Sequence, residues 1–328
     1  MAEATIRDVA RRAQVSVASV SRVLNRLDNV SEQTRERVKA AVDELGYVPH
    51  AGARSLSLAR TGAIGVVLPN LHGEFFSEIV RGMDRVATAR GYLLLLSNMH
   101  GHSGSDQAVI KAMHGRVDGL IVMAPHLEDE EFATALPRGI PAVLVNSRAK
   151  VGARPSIHLD NAAGARAVAQ HLMDIGRRRI VHIAGPLGNI DAEERADAFV
   201  RELKTRPGIE CETVQGNFYE ESGAAAALGL VRSGQPFDAI FAANDMMAIG
   251  ALEALRGAHV KVPEAVAVAG FDDVPLASHL GLTTVRVRIA ELGERAIQRL
   301  IARLEGAEDG ENDELHAPEL VVRGSTAS

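Results

Sequence analysis

Between Thr5 and Leu45 apolar residues recur at helical spacing in three separate runs. Ile6, Val9, Ala10 and Ala13 share one helix face, and Thr5 with Asp8 three residues on makes a start signal. The spacing therefore predicts a first helix from Ile6 to about Ala13. After Gln14 and Val15, Ser16 is suited to cap a second helix, Val17–Asn25. Its Val20, Val23 and Leu24 lie together, leaving Val17, Ala18, Ser21 and Arg22 facing outward. Ser31 begins a third, in which Val38, Ala41, Val42 and Leu45 follow the i, i+3, i+4, i+7 pattern and Gly46 suits the position after the end.

From Ile64 the pattern changes to short aliphatic or β-branched runs, IGVVLP, YLLLLS, GLIVM, PAVLVN, RIVHIAG, AIFAAND and VAVAGFDD. Each reads as a strand. Helical stretches alternate with them over about 76–90, 108–116, 162–175, 193–205, 222–232, 246–256 and 290–304, long enough for the crossovers that parallel strands require. The expected fold is an all-α helix-turn-helix head followed by an α/β body of two doubly wound parallel-sheet lobes. Ligands in such lobes bind beyond the carboxyl ends of strands, which singles out the loops NLHGEFF, NSR, GPLGNID, AAND and GFDD.

Composition is that of an ordinary globular chain, with 46% hydrophobic and 24% charged residues among 328. Charge is unevenly spread. Residues 1–60 hold ten Lys/Arg against seven Asp/Glu, whereas the remainder holds 26 against 35, so a head of net +3 is joined to a body of net −9. The single cysteine, Cys211, cannot form an intramolecular disulfide, and the start MAEATIRDVARRAQ has no apolar leader-like segment. With no apolar run near the ~20 residues of a membrane span, a cytoplasmic protein is expected, without a membrane partner.

The exposed face of the second helix suits a DNA major groove. Arg22 can donate bidentately to guanine, Val17 and Ala18 can touch thymine methyls, and Ser16 or Ser21 can bind phosphate. A small helical domain with a solvated arginine is the plainer alternative. For catalysis the sequence offers little. GxGxxG after a strand, GxxxxGK[ST], GxSxG and HExxH are all absent, so no enzyme and no cofactor is expected. His100 and His102 have no further His or Cys at metal-like spacing, so no metal site is expected. The adjacent Asp272 and Asp273 are badly placed to straddle a scissile bond.

TIRDVARRAQVSVASVSRVLN, followed by VSEQTRERVKAAVDELGYVP and ARSL, strongly resembles the LacI family of bacterial transcriptional regulators. In the body, IGVVLPNLHGEFFSEIVRG, DNAAG, HIAGPLGNIDAEERADAF, FAANDMMAIGAL and VAVAGFDDVPLA extend the resemblance over nearly the whole chain. It implies a DNA-binding set of Thr5, Ser16, Val17, Ala18, Ser21, Arg22, Asn25 and Leu56. Val17, Ala18 and Arg22 would read bases, and Leu56 would wedge into the minor groove from a hinge that becomes helical on DNA. It also implies a body similar to periplasmic sugar-binding proteins, its lobes joined by three crossings, with Phe75, Phe76, Asn146, Arg195, Phe218, Asn244 and Asp272 around an effector.

The domains expected are 1–48 for the head, 49–60 for the hinge and 61–328 for the body. One lobe would be about 61–159 with 289–317, the other 160–288 with 318–328. Gln14, His50 and Gly52 depart from the family pattern in the head and hinge, as do Gly73, Glu74 and Ala198 in the body.

Physically, Asp272 can accept two sugar hydroxyls, and Arg195 and Asn244 can donate to oxygens, but Asn244 and Asp245 equally suit helix capping. Ser, Thr and Tyr donors look sparse around these loops. The function implied is a repressor that binds a palindromic double-stranded operator as a homodimer and is released by a sugar-like effector. Three alternatives remain open at this stage: a corepressor-dependent regulator taking a purine or phosphorylated metabolite, a sugar-binding protein, and a sugar-modifying enzyme.

Overall fold

A computed structural model describes residues 4–25, 30–48, 60–99, 103–148, 154–307 and 313–327. The chain divides into two compact units, Met1–Gly62 and Ala63–Ser328. In the first, α1 (Ile6–Ala13), α2 (Val17–Leu24) and α3 (Glu32–Leu45) each begin where a hydroxyl satisfies an otherwise unpaired backbone N–H. Thr5 Oγ1 accepts from the Asp8 N–H at 3.4 Å while the Asp8 carboxylate accepts from the Thr5 N–H at 3.0 Å. This is a reciprocal box with aspartate in the role more often filled by glutamate. Ser16 and Ser31 cap α2 and α3 through the N–H groups of Ser19 and Thr34, at 3.1 and 3.4 Å. Val9, Ala13, Val20, Val23, Val38 and Ala41 bury together as the core of this unit. Two helix ends turn left-handed, Gln14 at φ 52° and Gly46 at φ 58°. Glycine adopts that conformation freely; at Gln14 it costs about 1 kcal/mol.

The second unit begins β1 (Ala63–Leu68), α4 (Glu74–Ala89), β2 (Leu93–Asn98), α5 (Ser103–Ala112), β3 (Gly119–Val122), α6 (Asp129–Ala135), β4 (Ala142–Val145) and β5 (Ser156–Leu159). It continues α7 (Asn161–Asp174), β6 (Arg179–Ala184), α8 (Ile190–Leu203), β7 (Glu210–Gln215), α9 (Glu220–Ser233), β8 (Ala239–Ala242), α10 (Asp245–Gly257), β9 (Ala267–Ala269) and α11 (Pro275–His279). Last come β10 (Thr284–Arg286), α12 (Ile289–Leu304), β11 (Asp313–His316) and β12 (Glu319–Val321). One parallel sheet has the order β11-β5-β4-β3-β1-β2, a second the order β7-β6-β8-β9, and β10 pairs with β12 as an antiparallel ribbon.

In both parallel sheets the second strand lies outside the first, so strand order reverses between β1 and β3 and again between β6 and β8. Such reversal points open a crevice at the carboxyl ends of the strands. The chain leaves the first sheet after β5, returns to it through α12, and leaves again after β11. Arg299, buried on α12, donates to the Ser156 carbonyl at 3.2 Å and faces Glu314 at 3.7 Å, tying the returning helix to β5 and β11.

β1, β3, β4 and β8 are buried along their whole lengths, as expected of strands covered on both faces. The covering helices approach closely in pairs. A Cβ at Gly223 would overlap the Met247 carbonyl and one at Gly250 the Glu220 carbonyl, which fixes α9 against α10; Gly82 and Gly293 do the same for α4 and α12.

All seven apolar runs are strands. Five further strands, β5, β7, β10, β11 and β12, and two helices, α6 and α11, were not expected. The helix expected over 108–116 instead spans Ser103–Ala112, because the chain is already turning at Gly115, with φ 72°, to enter β3. His100, His102 and Leu56, with most of the expected hinge, lie outside the described residues.

Candidate functional site

Helix α2 presents an unoccupied surface. Val17 is 42% exposed, Ala18 and Arg22 are exposed, and Val20 and Val23 anchor the opposite side. Three other arginines of the unit are engaged, Arg11 with Asp8, Arg12 with Glu44 and Arg35 with Glu32, while Arg7 and Arg37 form no ion pair among the described residues. Arg22 forms no ion pair with the described residues. The hydroxyls of Thr5 and Ser16 serve as caps, and Ser21, expected to face outward, is half-buried and accepts from Asn25 Nδ2 at 3.4 Å. Ser21 and Asn25 thus first stabilise the helix end.

In the second unit a cavity of about 420 Å³ opens at the carboxyl ends of strands from both parallel sheets. Phe75, Phe76 and Asn146 reach it from the first sheet's side, and Arg195, Phe218, Asn244 and Asp272 from the second's. Phe75 and Phe76 stand on the first turn of α4, their rings edge to face at 5.3 Å. Three of the seven, Asn146, Phe218 and Asp272, have positive φ of 42°, 72° and 119°. Strain of this kind in non-glycine residues is characteristic of functional sites.

The polar floor is partly satisfied. Asn146 accepts from the Leu159 N–H at 3.1 Å, but its Nδ2 has no partner although the residue is 2% exposed. Arg195 donates through Nε to Asn161 Oδ1 at 2.8 Å and through Nη1 to the Ala243 carbonyl at 2.6 Å, its guanidinium lying 3.8 Å over the Phe271 ring. Asp272 Oδ1, 3.5 Å from Arg195 Nη1, has no hydrogen-bond partner. Asn244 is a cap: its Oδ1 accepts from the Met247 N–H at 3.0 Å and its Nδ2 donates to the Phe218 carbonyl at 3.0 Å. One amide hydrogen and one lone pair of Oδ1 remain for a ligand.

Burial shifts the acids. Asp272 is pushed up to about 7 by desolvation against the opposing pull of Arg195, with Asp191 adding to the rise. Asp191 is pushed up to about 6 for the same first reason. Asp245, wholly buried behind Asp272, is held well above the usual carboxylate range by desolvation and by the Asp272 charge. It accepts from the Val274 N–H at 2.9 Å and from the Thr284 hydroxyl, so its role is structural. Asp273 differs from its neighbour: it pairs with Arg286 at 2.6 Å and Arg323 at 2.7 Å and points away from the cavity chemistry.

Among the lining residues that escaped the sequence reading are Asp191 and Tyr219. Asp191 lies one helical turn before Arg195 on α8, a spacing that puts both on one face and was available as a signal. Tyr219, next to Phe218, supplies a hydroxyl where such donors looked sparse, accepting from Asn70 Nδ2 at 2.6 Å. That bond joins the two lobes, as do His72 to Glu220 at 2.8 Å and Glu74, which accepts from the Leu276 N–H at 2.8 Å.

The sequence profile of the lacI family of bacterial regulatory proteins matches residues 5–50, and that of the periplasmic binding protein-like domain matches residues 169–326. The chain is 33% identical to the HTH-type transcriptional repressor CytR of Escherichia coli over 98% of its own length and 96% of the relative's. It belongs to the lacI family. It is 37% identical to the ribose operon repressor of the same organism, over 92% of this chain and 93% of that one. A crystal structure of the lac repressor dimer bound to operator and the anti-inducer ONPF superposes with a TM-score of 0.86 at 29% identity, each chain covered 100%. As a lacI-family member the chain is a ligand-responsive, DNA-binding regulator of transcription. No helix among its described residues is long and apolar enough to cross a membrane.

Proposed function

We propose that the protein is a cytoplasmic, dimeric, non-enzymatic repressor that binds a two-fold operator and is released by a sugar or sugar derivative. Residues 1–48 form the reading head, 49–60 a hinge and 61–328 the effector-binding and dimerising body. Val17, Ala18 and Arg22 contact base edges, with Thr5, Ser16, Ser21 and Asn25 beside the phosphates and Leu56 in the minor groove. The observation that carries the effector reading is the pair of buried, unpartnered polar atoms, Asn146 Nδ2 and Asp272 Oδ1, in one cavity walled by Phe75, Phe76 and Phe218. A buried orphaned polar group costs about 1–3 kcal/mol, and hydroxyls of a polyol relieve that cost. Apolar ring faces suit the C–H faces of the same ligand.

Support for repression and for a dimer comes from the relatives, two named as repressors and one a dimer on its operator. The test is a gel shift on the DNA upstream of the protein's own gene, with and without a panel of free sugars. Specific binding lost on adding a sugar supports the reading, and binding strengthened by a ligand would make the protein a corepressor-dependent regulator.

A further inference from the structure

The residues lining the cavity carry unequal charge. Asp191 and Asp272 enter it, 7% and 5% exposed, against a single buried guanidinium, Arg195. Arg195 is already committed to Asn161, the Ala243 carbonyl and the Phe271 face. Asp191 receives one hydrogen bond, from Asn161 Nδ2 at 2.8 Å, and that amide is shared with Glu194 at 3.0 Å. The other titratable groups lining the cavity are His72, paired with Glu220, His126, paired with the buried Asp106, and Tyr219, while Asp191 also borders an adjoining groove with Arg148, Arg201 and Glu194. Behind Asp272 stands Asp245, another acid. Two carboxylates, both almost wholly buried, therefore share one buried cation, and an uncompensated buried charge is costly. The rings of Phe75, Phe76, Phe218 and Tyr219 line the same cavity.

Resting on the sugar reading above, we infer that the effector carries a protonated amine beside its hydroxyls, and that Asp191 is the residue that selects it. An ammonium brings the missing positive charge, hydrogen-bonds to Asp191 and to the Asp272 carboxylate, and meets the negative faces of the aromatic wall. The orphaned Asn146 Nδ2 donates to a ring or hydroxyl oxygen of the same molecule. Phosphorylated or carboxylated sugars meet two acids and are rejected. An uncharged sugar leaves the carboxylate pair uncompensated and must rely on a proton retained there.

The pH dependence separates the classes. Asp191 and Asp272 titrate near 6 and 7, so both ionise as pH rises through that range. An ammonium ligand then gains affinity between about pH 5 and about pH 7, above which a 2-amino sugar begins to lose its own proton, whereas a neutral sugar gains none. Calorimetry on the full-length protein, with matched pairs such as glucosamine and glucose or galactosamine and galactose, and with glucose 6-phosphate, tests this at both pH values.

The expected result is that the amine member of a pair binds about ten- to a hundredfold tighter at the higher pH. Asp191→Asn should erase that preference while operator binding and the thermal transition persist. Equal or tighter binding of the neutral member, or a preference unchanged in Asp191→Asn, overturns the amine assignment and leaves the sugar reading standing. Failure of every sugar to bind a protein that still holds its operator overturns both.

Discussion

Arg195 Nη1 stands 3.5 Å from Asp272 Oδ1, an ion pair without a hydrogen bond, while the same nitrogen donates to the Ala243 carbonyl at 2.6 Å. The carboxylate is thus held in place at the cavity wall, with Oδ1 buried beside the guanidinium and short of a hydrogen bond. A group buried, charged and incompletely satisfied destabilises the empty protein, and a ligand that completes it recovers the cost.

Asp272→Asn is accordingly expected to stabilise the ligand-free body while weakening effector binding at least tenfold. The stability sign follows from the raised folded-state values. Protons bind Asp272 and Asp191 more tightly in the folded chain than in the unfolded one. Their penalty is therefore present above about pH 7, fades as pH falls through about 7 and about 6, and is gone below the unfolded carboxylate range. The mutant's gain, of order 1–3 kcal/mol at about pH 8, should shrink towards about pH 5. Urea unfolding of both proteins at the two pH values measures it; a mutant less stable at both would contradict the buried-charge argument.

His182 sets an opposing limit on the acid side. It is wholly buried on β6, donates Nδ1–H to the Phe241 carbonyl at 3.0 Å, and is pushed down to about 4 by desolvation. The unfolded chain takes up this proton first, so stability is lost as pH falls from about 6.5 towards about 4. His182→Gln should flatten that decline in the pH dependence of the thermal transition, whatever its absolute stability; an unchanged decline would assign it elsewhere.

In the head, Arg22→Ala should remove operator specificity while leaving helix content and effector binding unchanged, since the exposed side chain makes no ion pair with the described residues. A lost bidentate base contact costs about 1–3 kcal/mol in each half-site. Fluorescence anisotropy with specific and scrambled duplexes reads the difference, and undiminished preference for the specific duplex would remove Arg22 from the base readers.

Gln14→Gly should stabilise the head by about 1 kcal/mol by relieving the left-handed φ of 52° at the end of α1. Slower hydrogen exchange at the α1 amides would show it. Gly223→Ala works in the opposite sense: its new methyl meets the Met247 carbonyl, and the body should lose about 1–3 kcal/mol or more.

Periodicity made the head legible, because hydroxyl caps and buried valines there speak for the same three helices. Six buried strands were legible for a related reason, since strands covered on both faces are unbroken apolar runs; β2 reads as apolar too, although it is a largely exposed edge strand. β7, with the sequence ECETVQ, and β11, DELH, were not. Both are edge strands exposed to water, and their pairing is decided by β6 and β5 rather than by their own side chains. The seven cavity residues named from the sequence came by resemblance to the family; spacing alone offered capping for Asn244, which the structure also shows. Asp191 was missed because a carboxylate in the first turn of a helix looks like ordinary dipole compensation until the fold buries it at the cavity.

Titration of the best sugar of the panel into free protein and into protein saturated with operator duplex tests the central claim most directly. The proposed release requires that operator weaken effector binding by the same factor by which effector weakens operator binding, each measured at fixed salt. Equal effector affinity in the two titrations, with Asp272→Asn abolishing both, would mean that the cavity binds its ligand without regulating DNA.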